Sequence, residues 1–174
     1  MEGGNDKSAE RFAFLGREFL TWLWFEAERT GGGIDTLSFG RVGVEFGQRL
    51  SLETGGNVKE GSTVQADAPS QAEEARTALR TGKKVARARL LLDAGERQYQ
   101  VNLDAESLTI AGAKLPTMLG PKDASLLDER LRLVDELEAI LDEMYVGFVK
   151  LRMDEANWGP VREAMRAWVA GGGA

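Results

Sequence analysis

The chain contains neither cysteine nor histidine. The first absence excludes disulfides, thiolate nucleophiles and thiolate metal sites. The second removes imidazole ligands and every Ser-His or Cys-His catalytic arrangement. Long apolar runs are missing too. The longest, Phe19–Phe25, is closed by Glu18 and Glu26, far short of the roughly 20 residues that cross a bilayer. Met1–Glu10 carries acids and no apolar centre, so it does not read as a signal peptide. The expectation is a cytoplasmic chain with no membrane partner, compatible with the lack of disulfides.

What is present suits one globular domain, with 174 residues, 43% of them hydrophobic and 29% charged. Residues 8–170 are expected to form it, with 1–7 and 171–174 as loose ends. The net charge of −6 is unevenly spread. Between Arg76 and Arg97, seven bases stand against two acids, so that span carries +5 and the remainder −11. Segregated charge of this kind implies a directional surface.

The first helix is expected from a cap at Asp6 or Ser8 to about Arg29. Its apolar residues, from Phe12 through Phe25, occupy nearly the whole circumference, the mark of a buried helix. Gly31–Gly33 reads as its stop. Val42, Val44, Phe46, Leu50 and Leu52 alternate with period two, which predicts a half-buried strand with a bulge or bend at Gly47. A turn at Thr54–Asn57 and a weaker strand over Val58–Ala66 complete a hairpin. Ser70 and Glu73 form a capping box for a helix over Gln71–Thr81 that ends at Gly82. Lys83–Leu92, Arg97–Leu103 and Ser107–Ala111 read as three successive short strands. In the second, Tyr99, Val101 and Leu103 alternate with Gln98, Gln100 and Asn102, so one face is wet. After a linker at Pro116–Pro121, a long helix is expected over Ala124–Ala156. Its residues from Val134 to Leu151 are spaced like a heptad seam. Pro160 then fits the first turn of a last helix over Pro160–Val169. The order implies an α+β fold: an antiparallel sheet of about five short strands, packed with an aromatic N-terminal helix and a long C-terminal helix.

The basic segment supplies the candidate site. Arg76 and Arg80 are four apart on a helix, Lys83 and Lys84 sit at a junction, and Arg87 and Arg89 are two apart on a strand. Together with Arg97 they are candidates for one continuous positive surface of the kind phosphate backbones require. The alternative is a solvated face paired with acids elsewhere. The aromatic helix reads as core, a stacking platform or an interface, and the heptad seam as sheet packing or a dimer zipper. Asp128/Glu129, Asp135/Glu136 and Asp142/Glu143 are adjacent pairs whose side chains do not converge, so they read as a solvated face and not a cation site. Thr81-Gly82-Lys83-Lys84 fails as a phosphate-binding loop, because Thr77 and Lys84 stand where glycine and a hydroxyl are needed. No nucleophile, base and oxyanion site assemble, which argues for a non-enzymatic protein without cofactor, metal or small-molecule substrate.

Two strings carry a family resemblance: Phe14-Leu15-Gly16-Arg17-Glu18-Phe19-Leu20-Thr21-Trp22-Leu23-Trp24 and Ala78-Leu79-Arg80-Thr81-Gly82-Lys83-Lys84-Val85-Ala86-Arg87-Ala88-Arg89-Leu90. They are followed by a polar hairpin, Lys114-Leu115-Pro116 and a long Leu/Glu/Asp-rich helix. Over about residues 8–153 this order resembles the C-terminal half of the recombination-associated RdgC proteins. The resemblance implies a non-enzymatic, nucleoid-associated protein that binds double-stranded DNA without strong sequence preference and restrains RecA-driven recombination. In that family ring-shaped dimers encircle DNA, and the N-terminal half of such a subunit has no counterpart in this sequence. Arg76, Arg80, Lys83, Lys84, Arg87, Arg89 and Arg97 are the expected DNA-contacting residues. The alternative is a protein-interaction or oligomerisation module with no nucleic-acid role, a homodimer included.

Overall fold

In the computed structural model, the described residues are 5–54, 61–65, 73–117 and 124–171, with side chains described from Ala13 in the first stretch and Leu126 in the last. Four helices and six strands alternate along them: α1 (Asn5–Thr30), β1 (Gly33–Thr36), β2 (Gly40–Glu53), β3 (Gly61–Gln65), α2 (Glu73–Arg80), β4 (Lys84–Ala94), β5 (Arg97–Asp104), β6 (Thr109–Lys114), α3 (Ala124–Met153) and α4 (Glu155–Val169). The fold is α+β, as the order of patterns implies.

The sheet is antiparallel throughout, in the order β1-β2-β4-β5-β6. β3 lies beyond β1 on the same edge of β2: β1 pairs with Gly40–Gly43 and β3 with Arg49–Glu53. The period-two run of β2 points one way, with Val42, Val44, Phe46, Leu50 and Leu52 all buried. The slip at Gly47 is real. Phe46 faces Leu90 and Leu50 faces Ala88, so three residues of β2 oppose one of β4. Gly47 sits there under the Arg89 and Leu91 side chains, where an added Cβ would lie 3.2 Å from each.

All four helices pack on the face carrying Val44, Leu90, Leu92, Tyr99 and Val101, in one buried cluster. The other face carries Arg49, Ser51, Arg87, Arg89, Leu91, Gln98, Gln100, Asn102 and Asp104, none of them buried. This is the wet face expected of β5. α1 is apolar all round from Phe19 to Phe25 because that stretch is buried all round. Its Trp24 meets Phe46 of the sheet and Trp168 of α4, while Phe19 and Trp22 meet Phe148 of α3. From Phe19 to Phe25 the aromatic helix is therefore core.

Three expectations need correction. β1 is a sixth strand, formed directly after the glycines that stop α1; Gly33 itself pairs with Gly43. Asp6 and Ser8 both lie inside α1, which is described from Asn5, so neither is its cap. The long helix ends at Met153, three residues early. Asp154 turns extended and its carboxylate accepts from the amides of Ala156 and Asn157, capping α4. Pro160 thus lies inside α4 and not in its first turn. The capping box at Ser70, the Thr54–Asn57 turn, the start of the weaker strand at Val58 and most of the Pro116–Pro121 linker lie outside the described residues.

Candidate functional site

The structure does not gather the seven basic residues on one face. Arg87 and Arg89 project from the open face of the sheet. There Arg87 Nε donates to Asp104 at 2.7 Å and Arg89 Nε to Asn102 at 3.0 Å. Arg76, on α2, reaches the helical side and pairs with Glu28 of α1 at 3.2 Å. Arg80 bonds the Val169 carbonyl oxygen and Glu73. Lys83 donates to Ser62 at 2.8 Å. Lys84 turns under the helices and stands 3.9 Å from the centre of the Phe14 ring. Burial pushes its ammonium below the usual lysine range, and nearby Glu18 only partly opposes this. Arg97 pairs with Glu136 of α3. Four of the seven thus meet a carboxylate, and on the open face Arg87 and Arg89 are interleaved with acids.

Asp104 shows how local these pairings are. Burial works against its ionisation. Bonds from Arg87 and from the amides of Ser107 and Glu106 outweigh that and hold its carboxyl below the usual range.

A different site emerges between α3 and the β6 end of the sheet. A groove of about 700 Å³ is floored by Phe19, Leu103, Ile110, Leu141 and Tyr145. Asp135, Glu138 and Asp142 of α3 form its rim. Spacings of three and four put these carboxylates on one helical stripe. Toward the N-terminus the same stripe carries Leu127 and Leu131, which are 62% and 53% exposed. Within the Val134–Leu151 seam, Leu137, Leu141, Met144 and Phe148 are buried, whereas Leu127 and Leu131, ahead of it, face outward. None of the three rim acids has an ion-pair partner among the described residues. Their neighbours differ: Glu136 accepts from Arg97 and Tyr99, and Glu143 accepts from the Ser38 amide.

Beside the groove, β6 is an edge strand that, among the described residues, pairs with β5 alone. From Thr109 to Ala113 it carries no charge and no proline, two of the guards of a strand edge; a bulge at Ala111 and the terminal Lys114 are the guards it does carry. Sequence reasoning took the acids as adjacent pairs and so passed over the row Asp135, Glu138, Asp142. That spacing was the available signal. Among the described residues no three acids come together as a cation site, and no helix is long and apolar enough to cross a membrane.

No protein-family model matches the chain, and a search of curated proteins finds no match.

Proposed function

We propose that the chain is a non-catalytic protein-interaction module whose binding side is the α3–β6 groove. One contrast carries the reading. Six of the seven basic residues between Arg76 and Arg97 are matched by polar or acidic groups within the fold, while among the described residues the rim carboxylates have no ion-pair partner and the leucines beside them are exposed. An exposed apolar surface rimmed by polar and charged residues is typical of docking sites. A peptide-display selection on the intact chain tests this. Binders should enrich, and they should lose binding to the Leu127→Asp, Leu131→Asp double variant or to groove variants such as Glu138→Lys. Failure to enrich, or enrichment insensitive to both changes, would overturn the reading.

A second reading rests on a separate observation. Arg49, Arg87 and Arg89 line one shallow depression on the open sheet face, with Ser51 and Asn102. An RdgC-like protein would use such a face to bind double-stranded DNA through phosphates, and would modulate recombination at the nucleoid. Duplex DNA titrated at several salt concentrations separates the two readings. DNA binding would give a slope of about −0.9 in log affinity against log salt for each phosphate neutralised, and Arg87→Glu with Arg89→Glu would abolish it. The interaction reading expects no binding to duplex at about 0.15 M salt.

A further inference from the structure

Resting on the interaction reading, we infer that the groove takes an extended segment of a partner protein with lysine or arginine at alternate positions, added to the sheet as a strand beside β6. Three features converge on this occupant. The free edge of β6 offers backbone donors and acceptors to a further strand. The groove reaches β6 at Thr109 and Ile110 on the helical side, and every second side chain of an added strand would point to that side. Those side chains meet an apolar floor first and carboxylates beyond it. Lysine and arginine fit that order, with methylene stems on Ile110 and Leu141 and charged heads at Asp135, Glu138 and Asp142. Alternate strand residues recur about every 6.8 Å and helix residues three or four apart about every 4.5–6 Å, a difference that the flexible stems of lysine and arginine take up.

A second copy of this chain is a poor occupant. Its own β6 brings one lysine, Lys114, and its α3 would bring the same three carboxylates to the seam. Two chains of net charge −6 repel.

The test is fluorescence anisotropy of the whole chain with a fluorescein-labelled decapeptide of alternating lysine and threonine. An alternating lysine and proline decapeptide has the same charge but cannot join a ladder. Binding of the first peptide should exceed that of the second at least about tenfold. Glu138→Lys with Asp142→Lys should weaken it by a similar factor. Glu45→Lys with Asp93→Lys makes the same charge change on the open sheet face and should leave it within about twofold. All four positions are exposed, and circular dichroism of each variant verifies the fold. Equal binding of the two peptides, or equal weakening by both charge reversals, would overturn strand addition. So would self-association lost in the α3 variant. Failure here with successful display selection overturns only this occupant, whereas failure of both overturns the interaction reading as well.

Discussion

Trp168, near the end of α4, donates its indole N–H to Glu28 of α1 at 2.7 Å, across 140 residues of chain. The other carboxylate oxygen of Glu28 accepts from Trp24 at 2.8 Å, and Arg76 of α2 donates at 3.2 Å to the oxygen that Trp168 meets. One carboxylate therefore ties three helices together, and it takes up the first arginine of the basic segment in doing so.

Replacing Glu28 by Gln leaves one acceptor oxygen for two buried indoles and removes the charge facing Arg76. Hydrogen bonds to charged groups contribute about 1.5–3 kcal/mol each, so Glu28→Gln should lower the unfolding free energy by about 2–4 kcal/mol. Urea denaturation followed by tryptophan fluorescence measures this. Arg76→Ala should cost less, and the double variant should be non-additive because both act on one network.

Gly16 lies where α1 crosses the β5–β6 connection. A Cβ there would run into the backbone carbonyl oxygen of Ala105, which cannot swing aside as a flexible side chain would. Gly16→Ala should destabilise by more than about 2 kcal/mol despite the better helix propensity of alanine. Thermal unfolding checks the sign, since a surface glycine in a helix would give a rise.

Two groups set the pH response. The Tyr99 hydroxyl is pushed up to about 12, by burial first and then by its bond to Glu136. The fold favours its neutral form, so that stability is complete below the unfolded value near 10 and is lost as pH rises toward 12. Asp104 is held low, so its contribution is present above the ordinary carboxylate value near 3.9 and is lost as pH falls through the lower folded value. Absorbance titration at alkaline pH should show the Tyr99 step vanish in Tyr99→Phe. Below about pH 4, Asp104→Asn should show a shallower loss of stability than the parent.

Much of the architecture was readable because its signals are local. The alternation in β2 and β5 and the all-round apolar course of α1 each report burial directly. β1 was not readable, since Gly33-Ile34-Asp35-Thr36 buries one large side chain, Ile34, and owes its form to pairing with β2. The break at Asp154 had a signal, an aspartate whose carboxylate also accepts from the Asn157 side chain at 2.6 Å, but Pro160 drew the helix start toward itself. The basic segment misled for a different reason. Spacing within α2 or β4 places side chains on a face of that element, and says nothing of how the two elements turn relative to each other. Of the four matching acids, Glu28, Asp104 and Glu136 lie 48, 17 and 39 residues from their arginines, and only Glu73, seven residues from Arg80, is on the same element. The groove was hidden likewise, because its floor and rim come from α1, β5, β6 and α3 together.

The most direct test is residue-resolved amide hydrogen exchange of the chain with and without the alternating lysine and threonine decapeptide. The account predicts new protection confined to the edge amides of Thr109–Lys114 and to the α3 stripe from Leu127 to Asp142. Protection centred on Arg49, Arg87 and Arg89 of the open sheet face, or none at β6, would contradict it.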